Sequence, residues 1–128
     1  SMSRYNLNFG RASEDAAAVF LKNKGYKILR TNYRVKFGEI DIIAEEASVI
    51  CFIEVKSRVD CSLGHPKEAL TPRKQDKISR AALAYLKENR FLDRNARFDV
   101  LSIIKGDDDQ IDFELIKDAF ELSGRYSY

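Results

Sequence analysis

Apolar residues recur at helical spacing between about Arg11 and Lys24, where Ala12, Ala16, Val19 and Phe20 share a stripe and Gly25 supplies a C-terminal stop. The pattern then turns strand-like. Tyr26 to Val35 reads as a first strand closed by the turn signal Phe37-Gly38, and Ile40 to Ala44 and Val49 to Val55 read as the next two, joined through Glu46-Ala47-Ser48. A loop with Gly64 and Pro66 leads to Thr71-Pro72, an N-cap and first-turn proline for a long helix through about Asn89. Its apolar stripe includes Ile78, Ala81, Ala82, Tyr85 and Leu86. Phe98 to Ile104 returns as a strand, Gly106 to Asp109 turns, and Ile111 to Leu115 forms a last strand. The order αβββαβ, with that terminal strand, predicts an α/β domain with a mixed sheet flanked by helices.

Two of these strands are interrupted by ionisable residues. Asp41 sits among Ile40, Ile42 and Ile43, and Glu54 and Lys56 sit among Phe52, Ile53 and Val55. Side chains alternate faces along a strand, so Glu54 and Lys56 share one face. An antiparallel hairpin through Ala47-Ser48 places Asp41 directly across from Glu54, with opposed Cβ atoms roughly 4.5–5.5 Å apart. Two carboxylates so placed repel, and partial burial makes ionising both costly. A divalent cation resolves the conflict: hard oxygen donors suit Mg²⁺ or Mn²⁺, and magnesium commonly takes one or two carboxylates with water filling the rest. Lys56 would then stand beside the metal, able to orient a water or meet developing phosphate charge. The plainer alternative is a structural network in which Asp41 and Glu54 pair with Lys56 or with arginines such as Arg58.

Charge distribution adds to this picture where the total does not. The net charge is only +2, yet residues 1–36 carry eight Lys/Arg against two acids and residues 56–80 carry seven against three. Residues 107–121 reverse the balance with seven acids and one lysine, so a cationic face for a polyanion is one reading and solvated surface charge the other. Arg73, Lys74, Lys77 and Arg80 cluster at the start of the second long helix, where basic side chains and backbone N–H groups can hold phosphates, although a solvated helix face accounts for any single one of them. Phe9, Phe20, Tyr26 and Phe98 fall at core positions, which leaves no clear base-stacking platform.

Length and composition set the remaining bounds. A chain of 128 residues fits one domain, read as residues 2–128 because Ser1 ahead of Met2 resembles a tag scar. Cys51 in an apolar strand and a lone Cys61 make no disulfide framework, and a single histidine, His65, leaves a structural zinc site short of ligands. With no long apolar run and no leader pattern, the expectation is a cytoplasmic protein without membrane association.

An acid ending one strand followed by E-x-K in the next resembles the PD-(D/E)xK nuclease superfamily, with Asp41, Glu54 and Lys56 in the D, E and K positions. The proline of that motif is absent, Ile40 standing before Asp41. The segments GRASEDAAAVFLKNKGYKILRTNYR, FGEIDIIAE, VICFIEVKSR, GHPKEALTPRKQDKI and ARFDVLSI are similar to the YraN-like family, small bacterial proteins regarded by inference as endonucleases and related in fold to archaeal Holliday junction resolvases. The resemblance implies a restriction-endonuclease-like three-layer fold whose hairpin carries the site. It implies Mg²⁺- or Mn²⁺-dependent cleavage of nucleic acid, DNA above all, by a homodimer. It adds Glu14 as a third metal-site carboxylate and Lys74-Gln75 as a basic-polar pair, with Arg58, Arg73 and Lys77 on the nucleic-acid side. Glu14 also has a local reading as an acid near a helix start, where the dipole favours it. The rival function is a silent module that keeps this fold and binds nucleic acid or a protein of a DNA-processing assembly.

Overall fold

The computed structural model describes residues 4–59 and 70–122, with side chains from 14 to 58 and from 70 to 122. Cys61 and His65 lie outside the described residues, as do the loop glycine and proline at 64 and 66. The elements run α1 (Arg4–Asn23), β1 (Lys27–Val35), β2 (Gly38–Glu46), β3 (Val49–Val59), α2 (Pro72–Glu88), β4 (Ala96–Lys105) and β5 (Ile111–Phe120). The mixed α/β arrangement expected from the pattern is present. Two bounds differ from the sequence reading: α1 begins at Arg4 rather than near Arg11, and β5 continues past Leu115 to Phe120.

The five strands form one sheet in the order β1-β2-β3-β4-β5. β3 and β4 are parallel and the other neighbours antiparallel. A parallel pair needs a long crossover, and α2 lies within it. α2 is well specified at both ends: the Thr71 hydroxyl accepts the Lys74 N–H at 3.2 Å, Pro72 opens the first turn, and Asn89 closes the last.

Alternation along the central strands divides the core between two faces. Ile43, Ile50 and Phe52 pack with Ile78, Ala82, Tyr85 and Leu86 of α2. Ala44, Cys51 and Ile53 pack with Ala17 and Leu21 of α1, so each face of the sheet is covered by one helix. Being buried on both sides, β3 reads as a nearly continuous apolar run from Val49 to Ile53. Phe52 centres an aromatic group, 5.6 Å from the Phe98 ring and 6.1 Å from Tyr85. Cys51 is buried with a free thiol, and burial pushes that thiol up to about 11, consistent with a core role. Among the described residues no helix is long and apolar enough to cross a membrane.

Candidate functional site

The β2–β3 turn fixes everything that follows. Ala47 (φ 48) and Ser48 (φ 69) both lie in the left-handed region, the requirement of a two-residue hairpin turn whose twist suits the flanking strands. The pairing it sets runs from Glu46↔Val49 to Ile42↔Ile53. One step further, where Asp41 faces Glu54, the strands part: β2 continues with β1, and β3 with β4. At this fork the Asp41 side chain takes the place of a strand carbonyl, with Oδ2 accepting the Val55 N–H at 2.8 Å. Glu54 and Asp41 are hydrogen-bonded to each other.

Asp41 is also the point at which β2 changes face. Ile42 belongs to the core under α1, while Ile40 and Ile43 belong to the core under α2. Strict alternation would have put Ile40 with Ile42. The partner strand shows the matching irregularity, since Asn32, between Thr31↔Ile42 and Tyr33↔Ile40, has φ 51. An asparagine tolerates that conformation better than most residues. The kink leaves Asp41 between the two cores, where it feels the charge of Glu14 on α1, while its neighbour Glu54 feels Lys74 on α2.

Electrostatics follow from this placement. Burial, the largest cause, raises the Glu54 carboxyl to about 7, and the negative charge and hydrogen bond of Asp41 push the same way. Lys74 and Lys56 pull it back down. Asp41 is raised as well, chiefly by burial, with the Val55 N–H and the Glu54 bond opposing and the charges of Glu14 and Glu39 adding to the rise. Raised together, the two carboxyls titrate as a pair and favour holding a proton between them as pH falls below neutrality. Glu14 lies in the interior of α1 rather than near its start, so the helix-dipole reading falls. Its field at Asp41 is what ties it to the site.

A cationic wall faces the pair. The start of α2 and the β1–β2 turn enclose a groove of about 740 Å³ that reaches Glu54 and is lined by Arg73, Lys74 and Lys77 on one side and Arg34 and Lys36 on the other. Gly38 lets these walls meet, because a Cβ there would lie 2.1 Å from the Lys77 carbonyl oxygen. Two of the residues expected beside nucleic acid go elsewhere. Gln75 Nε2 donates to the Leu70 carbonyl at 2.8 Å, holding the approach to α2. Arg58 faces Glu114 of β5 at 3.5 Å.

The groove's Arg34, Lys36 and Phe37 were not legible as site residues, since only the fold brings the β1–β2 turn to α2. A second buried acid, Asp99, interrupts an apolar strand as Asp41 does. Its Oδ1 accepts Arg97 Nε at 3.0 Å and the Asp118 N–H at 2.9 Å, and its Oδ2 accepts the Tyr26 hydroxyl at 3.3 Å. Arg97 continues to Glu46 at 2.8 Å, and Lys117 reaches Glu46 at 2.9 Å. So well satisfied a network ties β2, β4 and β5 together.

The sequence matches the uncharacterised protein family UPF0102 over residues 13–103. The chain belongs to that family. Among similar proteins, the UPF0102 protein of Syntrophus aciditrophicus is 49% identical over 119 residues, 92% of each chain. That of Prosthecochloris aestuarii is 47% identical over 124 residues, covering 93% of this chain and 98% of its own. That of Desulfosudis oleivorans is 48% identical over 122 residues, 95% of this chain and 97% of its own. The UPF0102 match spans the carboxylate pair, Lys56 and the basic start of α2, and ends within β4.

Proposed function

We propose that this UPF0102 protein is a Mg²⁺- or Mn²⁺-dependent endonuclease of restriction-endonuclease-like fold, acting on DNA with branched or otherwise structured features. The observation that carries the reading is the hydrogen-bonded Asp41–Glu54 pair at the strand fork, with Lys56 on the same strand two residues on. The donor set fits a hard divalent cation: Asp41 and Glu54 would hold it, and its charge would relieve the repulsion between them. Among the described residues no three carboxylate, histidine or cysteine side chains form a ligand cluster, so the fit is to an ion that keeps several waters, with Glu14 a more distant negative charge. A cation bound there would polarise a phosphate and acidify a water.

The chain's own groups do the rest. Lys56 presents an ammonium where negative charge grows on the phosphate oxygens. Arg73, Lys74 and Lys77 hold the phosphodiester backbone along the groove. Val55 contributes by fixing one Asp41 oxygen, which orients the carboxylate before substrate arrives. Symmetric cutting of a junction would take two copies, and the reduced Cys51 suits a cytoplasmic enzyme. The test is single-turnover cleavage of branched and linear DNA and RNA in Mg²⁺ and Mn²⁺. Metal-dependent cutting lost in both Asp41→Asn and Lys56→Ala supports the proposal. A parent protein that binds these substrates and never cuts them would be the silent binding module instead.

A further inference from the structure

Phe37 is 57% exposed. It stands at the tip of the β1–β2 turn among the residues that line the cationic groove. Lys36 Nζ lies 5.2 Å and Arg80 Cζ 5.6 Å from its ring centroid, so the ring is framed by positive charge from both walls. The next residue, Gly38, is pressed against the α2 backbone, with room for no Cβ within 2.1 Å of the Lys77 oxygen. The turn is therefore anchored on α2, and Phe37 is held at the groove rather than waving in solvent.

An exposed aromatic bracketed by cations suits a polyanion that also carries flat π-faces. Resting on the nucleic-acid reading above, we propose that Phe37 is a stacking platform for one unpaired base of the bound strand. Lys36, Arg73, Lys74 and Lys77 hold the flanking phosphates, and the groove leads that strand to Glu54. A base inside a continuous duplex is stacked on its neighbours and cannot use the ring without leaving the stack. Phe37 therefore gives the site a preference for DNA with an unpaired nucleotide, such as a branch point or a single-stranded arm.

The chain contains no tryptophan, so Phe37→Trp introduces a single reporter at this position. In EDTA, where no cutting occurs, its emission should be quenched by a single-stranded oligonucleotide and left unchanged by an abasic strand of equal length and charge. By anisotropy, Phe37→Ala should weaken single-strand binding by about tenfold, with Phe37→Trp restoring it and duplex binding shifting less than about twofold. Equal quenching by the abasic strand, or equal loss on duplex and single strand, would overturn the platform and leave Phe37 as a prop of the groove wall. Base-dependent quenching in a protein that never cuts sustains the platform while sinking the nuclease. Cutting with unaltered Phe37→Ala binding does the reverse. A parent protein that binds no nucleic acid defeats both.

Discussion

Asp41 accepts the backbone N–H of Val55 at the position where β2 and β3 stop pairing, and its carboxyl is at the same time bonded to Glu54. A side chain thus finishes a ladder that the backbone has abandoned. Because it does so with a carboxylate beside a second one, the end of the hairpin is also where two buried acids oppose each other's ionisation.

The stress should appear as pH-dependent stability. Glu54 is raised from its ordinary 4.5 to about 7, and Asp41 is raised too. For carboxyls raised on folding, the folded state binds more protons than the unfolded one. Their contribution is fully present below the unfolded value and is lost as pH climbs through the folded one. Metal-free protein should therefore lose on the order of 3 kcal/mol between about pH 4.5 and 7, most of it from Glu54. Urea melts across that window check it, and Asp41→Asn should flatten the decline.

Magnesium should act on the same titration. A cation held by both carboxylates favours their ionised forms, so added Mg²⁺ or Mn²⁺ lowers both midpoints and stabilises the protein most at neutral and higher pH. Carboxyl NMR titrations of Asp41 and Glu54 with and without metal read this directly. Identical curves would remove the metal from the proposal.

Lys56→Ala should leave affinity for nucleic acid nearly intact, since many phosphate contacts share it, yet slow single-turnover cleavage by about 10²–10³. Unaltered cleavage in this variant would place the activity in a contaminant or another site.

Lys74→Glu separates the groove from the chemistry and couples them in one measurement. It should weaken binding and reduce its salt dependence. It should also move the Glu54 titration upward, because Lys74 is the first of the two charges that hold it down. Lowered affinity without a shifted titration would mean that Lys74 points away from the pair.

Gly38→Ala should cost about 1–3 kcal/mol, the usual range for an insertion that a packed contact must absorb. The clash is with a backbone oxygen, Lys77 O at 2.1 Å, which cannot swing aside as a side-chain tip could. A melting temperature equal to the parent's would show that the turn and α2 are free to separate.

The site was legible in part because its key relation is local. A two-residue turn and a period of two were enough to set Asp41 across from Glu54, and both features are written in adjacent residues. The turn did adopt the two left-handed conformations that this register needs. What could not be read was whatever depends on distant segments. The residues expected beside nucleic acid split between groove and scaffold because Gln75 found the Leu70 carbonyl, and Arg58 of β3 found Glu114 on a strand beyond β4. The face change at Asp41 needed Asn32 on another strand, and nothing in the spacing of Ile40, Ile42 and Ile43 announced it. Asp99 carried the same apolar-strand signal as Asp41 and turned out to be a structural anchor, so that signal marks a buried acid without saying which kind.

The hairpin that joins Asp41 to Glu54 also orders events in time. Its strands meet across two turn residues, whereas Ile50↔Ala96 pairing must wait for the whole α2 crossover to be gathered. Contacts of short separation form ahead of distant ones. The two acids are thus expected to meet before Lys74 arrives to ease them, and the refolding rate should fall as pH rises through neutrality. Asp41→Asn should abolish that fall in stopped-flow refolding. A chain assembled in this sequence carries its paired acids as a kinetic burden, borne by the hairpin until the helix docks.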